Sequence, residues 1–239
     1  MNNLLVRALT GTVFVSSILL SIWFDFYAFS LVMGIYLFGG LIEYTRFFKE
    51  HPNVQFPTTL YGLTALTIAG LTDFRIIVMI LPAGFFILFL TELWRKKEHP
   101  LLNVSTSAFG FLYLVIPFML VMAIADLTHI GNPLVYGMFV LIWTNDSFAY
   151  LSGRFLGRTP LLKRISPKKT LEGTIGGLLF TISAALLIAY YFDSNQQYVF
   201  WIVSGGLVAC SSILGDLFES MIKRSLNIKD SGNILPGHG

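Results

Sequence analysis

The chain has 239 residues, of which 55% are apolar, 15% aromatic and 12% charged, with a mean hydropathy of +0.72 and a formal net charge of +3. A soluble globular domain carries about 25% charged residues, so this composition excludes a soluble enzyme and points to an integral membrane protein with no nucleic-acid partner. The length leaves room for about eight spans of ~20 residues joined by short loops, and for no sizeable soluble domain.

Apolar segments fall at 4–23, 26–45, 58–73, 75–94, 105–126, 133–152, 171–192 and 198–222. Lipid cannot satisfy exposed backbone groups, so such segments are expected as helices. No alternating ten-residue pattern suggests a barrel. The predicted fold is therefore all-α, a polytopic membrane protein of about eight transmembrane helices. The first segment reads as an uncleaved span rather than a removed signal peptide. The single Cys210 sits inside an apolar run, which excludes an intrachain disulfide.

With the N-terminus on the cytoplasmic side, Arg7, Arg46, Lys49, Arg95, Lys96, Lys97, Arg154, Arg158, Lys163, Arg164, Lys168, Lys169, Lys223, Arg224 and Lys229 all fall inside. These are 15 of the 16 Lys and Arg residues, and Arg75 alone falls outside. The excess of inner cations predicts that orientation.

The first half, 1–132, carries little chemistry and reads as a scaffold with a surface for dimerisation. Glu43 with Arg46 and Glu92 with Arg95 are i, i+3 pairs at helix ends, so local ion pairing is expected. His51 and His99 sit in polar inner loops, and His129 stands alone on the other side.

The second half, 133–239, differs. The sixth segment reads LVYGMFVLIWTNDSFAYLSGRFLGR, and Asn145 and Asp146 interrupt its apolar run. An acid within a span is a candidate functional site. Its expected partner is Arg154, or a metal ion or phosphate shared with the last helix. The basic loop GRTPLLKRISPKKTLEGTIGG follows. Thr170 is placed to cap the next helix, with Glu172 in its first turn. A helix start preceded by Lys168 and Lys169 suits an anionic ligand. Gly173, Gly176 and Gly177 allow close approach of a backbone or ligand.

The last stretch, SSILGDLFESMIKRSLNIKDSGNILPGHG, begins apolar and fills with charge. Asp216, Glu219, Ser220 and Lys223 share one helical face, with Arg224 beside them. Lys229, Asp230 and His238 follow on a segment broken by Gly232, Pro236 and Gly237. Three polar clusters thus gather at the inner face: Asn145 with Asp146, Ser166 to Glu172, and Asp216 to Lys223 with its tail. Carboxylates suit a hard cation such as Mg²⁺, and lysines with a helix start suit a polyphosphate. Phosphoryl or nucleotidyl transfer onto a lipid is the chemistry this combination predicts.

The segments NDSFAYLSGRFLGR, ISPKKTLEGTIGG and GDLFESMIKRSLNIKDSGNILPGHG, within about 143–239, resemble the phosphatidate cytidylyltransferases, also called CDP-diacylglycerol synthases. The last motif is the most specific: S-x-x-K-R, four residues, K-D, then P-G-H-G, carried by Ser220, Lys223, Arg224, Lys229, Asp230, Pro236, Gly237, His238 and Gly239. The resemblance implies transfer of a cytidylyl group from CTP to phosphatidate, giving CDP-diacylglycerol and pyrophosphate. It implies Mg²⁺, a potassium ion beside it, a homodimer, and a multi-pass inner-membrane protein with a cytoplasmic site. Under it Asp216 and Asp146 hold the metal. Asn145, Asp146, Ser166, Lys168, Lys169 and Glu172 face the nucleotide, and Ser220, Lys223 and Arg224 the lipid phosphate. Asp216, Lys223, Arg224, Asp230 and His238 form the catalytic set. The family pattern continues past Gly239 with an acidic segment and a ninth helix, so the 239 residues alone are expected to show little activity. The alternatives are a CTP-dependent polyprenol or lipid kinase, which would release CDP, and a cation-coupled transporter using Asp146 and Asp216.

Overall fold

Each apolar segment that falls on described residues becomes a helix, as a backbone without water must. The computed structural model describes residues 3–48, 82, 86–96, 98–128, 133–193, 195–226, 228 and 232. Among them the chain is all-α apart from one two-stranded hairpin. The segment read at 58–73 lies outside the described residues, as does half of that at 75–94, where 86–94 is helical. Helices long and apolar enough to cross a membrane cover Phe26–Phe47, Pro100–Asp126, Leu171–Tyr191 and Tyr198–Ser225.

The chain divides into two units, Met1–Ile130 with Ser231–Gly239, and Gly131–Asp230. The first contains α1 (Asn3–Phe24) and α2 (Phe26–Phe47). Asp25 separates them and caps α2, its carboxylate accepting the Ala28 N–H at 2.7 Å. The two helices are tied by the Ser17 and Tyr36 hydroxyls at 2.6 Å and by the Phe14 and Tyr36 rings at 4.8 Å. Further on, α3 (Pro100–Gly110), a π-helical turn (Phe111–Val115) and α4 (Ile116–Leu127) form one continuous run. Pro117 has no N–H to give and would crowd the carbonyl four residues back. The wider π turn just before it relieves that conflict. Gly110 lies flat under the Tyr44 ring, whose hydroxyl donates to the Thr106 carbonyl at 2.9 Å. Glu92 pairs with Arg95 at 2.8 Å, as its spacing predicts, and also accepts from the buried Asn103 amide at 2.6 Å.

The second unit holds α5 (Pro133–Leu156), β1 (Pro160–Leu162), β2 (Ser166–Thr170), α6 (Leu171–Tyr191) and α7 (Tyr198–Ser225). Leu141, Ala185, Ile188, Ala189 and Trp201 form its apolar core. At one end α5 and α6 approach almost backbone to backbone. A Cβ added at Gly173 would lie 2.7 Å from the Ala149 carbonyl oxygen, and one at Gly176 would strike the Ser152 side chain. At the other end the short α6–α7 turn is gathered by Asp193. Its carboxylate accepts the Asn195 and Gln197 N–H groups at 3.0 and 3.2 Å and the Trp201 indole N–H at 3.0 Å.

The hairpin was not foreseen, since the 158–170 loop reads only as basic and Pro-containing. β1 and β2 pair antiparallel with a register irregularity. Two strands leave both edges open, so Pro160 and Pro167 cost the ladder little. The α6 helix runs straight out of β2, capped by the Thr170 hydroxyl, which accepts the Gly173 N–H at 3.2 Å as predicted.

Candidate active site

The close glycine contact of α5 with α6 holds the start of α6 and the hairpin against the C-terminal half of α5, and α7 closes the third side. Between them lies a cavity of about 430 Å³ lined by side chains of all four elements. Asn145, Asp146, Tyr150 and Arg154 come from α5, Ser166, Lys168 and Lys169 from β2, Thr174 from α6, and Ile213 and Asp216 from α7. Six of the residues assigned to the nucleotide and the metal therefore meet in one place: Asn145, Asp146, Ser166, Lys168, Lys169 and Asp216.

The acids form its floor. Asp146 accepts the Ser212 hydroxyl across to α7 at 2.8 Å, and the Asn145 amide at 3.5 Å. Asp216 is one turn from Ser212 on the same face, and its Oδ2 takes the Lys169 ammonium at 2.5 Å. The partner of Asp146 is thus Ser212 with Asn145. Arg154 instead donates to the Tyr150 hydroxyl at 3.4 Å. Ser212 was missed in the sequence. Its position four residues before Asp216 was the available signal. Asn145 is 2% exposed, and its Oδ1 is without a hydrogen-bond partner against the Gly177 backbone.

These groups suit a magnesium ion in kind. Mg²⁺ is commonly held by one or two carboxylates, with phosphate oxygens and waters completing its shell. Asp146 and Asp216 are the carboxylates that could serve, both lining the cavity. The ammonium on Asp216 marks that acid as a place where a cation belongs. Among the described residues no group of three or more His, Cys, Asp or Glu is gathered.

Other predicted residues stand elsewhere. The Glu172 carboxylate turns to the loop, where it accepts the backbone N–H groups of Arg158 and Thr159 at 3.1 Å each. It therefore pins the chain that leaves α5 rather than lining the cavity. Lys223 is paired with Glu219 at 2.9 Å. Ser220, Lys223 and Arg224 lie beyond Asp216 towards the end of α7, outside the lining. Asp230 and His238 lie outside the described residues, as do Lys229, Pro236 and Gly237.

The profile described as "Cytidylyltransferase family" matches residues 5–239, nearly the whole chain. The chain belongs to the cytidylyltransferase family. Membership places it among the nucleotidyltransferases. The phosphatidate cytidylyltransferase of Haemophilus influenzae is 30% identical over 266 residues, covering 98% of this chain and 90% of that protein. That of Rickettsia bellii is 39% identical over 154 residues, 61% of this chain and 64% of its own length. That of Staphylococcus aureus is 45% identical over 103 residues, 42% of this chain and 39% of its own length. The match therefore spans less than two thirds of the latter two relatives.

Proposed function

We propose that this cytidylyltransferase moves the cytidylyl group of CTP onto phosphatidate, forming CDP-diacylglycerol and releasing pyrophosphate. The observation that carries the reading is one cavity where acids from two apolar helices meet the lysines of a hairpin. The substrates are those of the phosphatidate cytidylyltransferases to which the chain is similar. The lipid phosphate oxygen attacks the α-phosphorus of CTP. A phosphorus–oxygen bond forms there as the bond to the bridging oxygen of the β-phosphate breaks, and pyrophosphate departs. The nucleophile is already anionic near neutral pH, so the site requires no strong general base. Catalysis of this kind rests on positioning and charge neutralisation.

Asp146 and Asp216 would hold magnesium, which supplies charge neutralisation across the phosphate oxygens when bound. Lys168 would neutralise the triphosphate from β2. Lys169 would join it once its ammonium leaves Asp216. Ser212 and Asn145 hold the Asp146 carboxylate in place. Ser220, Lys223 and Arg224, with Asp230 and His238 of the motif, are assigned to phosphate groups beyond the described cavity, including the leaving pyrophosphate. We place this pocket at the cytoplasmic face of an inner-membrane protein with about eight spans, working as a homodimer.

The test is pyrophosphate release in detergent with CTP, Mg²⁺ and phosphatidate, omitting each in turn, measured on a C-terminally extended chain beside the 239-residue one. Release should require all three. Release of CDP would identify a lipid kinase instead, and ion flux in proteoliposomes without CTP would identify a transporter.

A further inference from the structure

The cavity holds one cation that the reading above leaves without a task. Arg154 lines it, is exposed, and forms no ion pair with a carboxylate among the described residues. The neighbouring rim cation Lys169 is engaged by Asp216, and Lys223, outside the cavity, is tied to Glu219. Arg154 is eight residues beyond Asp146 on α5, which sets it about 12 Å along the axis from the acidic floor. On the same stretch Leu151, Phe155 and Leu156 are 40%, 76% and 65% exposed, so an uncovered apolar surface borders the cavity at Arg154. In a bilayer that surface meets acyl chains. A lipid lying along it would bring its headgroup to the guanidinium.

We propose that Arg154, braced by the Tyr150 hydroxyl, holds the monoester phosphate of the lipid substrate at the membrane-facing rim of this cavity. The proposal rests on the cytidylyl-transfer reading for the identity of the lipid. It moves the lipid phosphate from Ser220, Lys223 and Arg224, none of which lines the cavity, to α5. A guanidinium fork matches two of the three non-bridging oxygens of a monoester phosphate and leaves the third to attack, a geometry an ammonium does not offer. The phosphate at the rim and the triphosphate over the acids would then approach from opposite ends of one cavity, as attack in line requires.

The test has two arms on the full chain in nonionic detergent. The first measures equilibrium binding of radiolabelled phosphatidate, and of diacylglycerol as a headgroup-free control, without CTP. Arg154→Ala should weaken phosphatidate binding by about tenfold or more, the loss of a charge-assisted hydrogen bond, and leave diacylglycerol binding unchanged. Arg154→Lys should fall between, and Tyr150→Phe should lose less than Arg154→Ala. The second arm is kinetic: Arg154→Ala should raise KM for phosphatidate with KM for CTP held within about twofold. Unchanged phosphatidate binding in Arg154→Ala, or a rise confined to the CTP KM, overturns the assignment. Should Arg154→Ala misfold, Arg154→Lys alone decides on the same readings. A C-terminally extended chain that binds phosphatidate through Arg154 but releases no pyrophosphate sinks the transfer reading and keeps this one.

Discussion

Asp216 is more than half exposed, yet one of its oxygens is taken by the Lys169 ammonium. An open ion pair adds little stability, so this contact matters for what each partner does next. On the proposed reading, a metal ion taken up by the acid would free a lysine beside the triphosphate. Removing even an indirect partner of a metal ligand costs 10- to 100-fold, so Asp216→Ala is expected to hold turnover below about a tenth of wild type while membrane insertion is intact. Lys169→Ala should raise KM for CTP more than it lowers kcat. Steady-state rates with insertion checked by membrane fractionation measure both. At the far end, hydrogen bonds hold the Asp193 carboxyl below its ordinary value of 3.8, the Asn195 N–H first among them and the Trp201 indole and Gln197 N–H after it. A depressed acid contributes stability above its unfolded pKa and loses it as pH falls through the folded one. The emission of Trp201, kept as the sole tryptophan, should therefore stay flat from pH 7 down to about 4 and change below it. Asp193→Asn should abolish that transition.

At the scale of the element, the junction of β2 with α6 is where local chemistry and packing meet. Thr170 caps α6, and Thr170→Ala should cost about 1 kcal/mol of stability in a thermal melt of the solubilised protein. The glycine face behind the cap is less forgiving. Gly173→Ala meets the Ala149 carbonyl, and Gly176→Val meets Ser152, so each should cost about 1–3 kcal/mol by overpacking and loosen the cavity together with the fold. Gly206 is the control. A Cβ there meets nothing within 4 Å, so Gly206→Ala should be neutral or stabilising by up to about 1 kcal/mol. Equal losses at Gly173 and Gly206 would show that the close approach of α5 to α6 does not hold the site.

For the whole molecule, the charge bias makes a topological prediction. Cysteines placed at Lys163 and Asn195 in a Cys210→Ser background should react with an impermeant maleimide from opposite sides, Asn195 from outside and Lys163 from the cytoplasm. The reverse pattern would invert the orientation. Class, helix positions and the cap at Thr170 were legible in the residues, because apolar run length, charge and a Thr before a helix act over a few neighbours. The described helices Pro133–Leu156, Leu171–Tyr191 and Tyr198–Ser225 fall on the segments read at 133–152, 171–192 and 198–222, overrunning two of them by three or four residues. That Asp146 and Asp216 each need a partner was also legible, since an acid in an apolar run is costly without one. Which partner each acid takes was not. Asp146 meets Ser212 rather than Arg154, Asp216 meets Lys169, and Glu172 leaves the site for the Arg158 and Thr159 backbone. Periodicity fixes which residues share a face of one helix, but only the packing of α5, α6 and α7 decides which faces meet. That choice is made by glycine contacts and a hairpin whose effects reach across the fold, not along the chain.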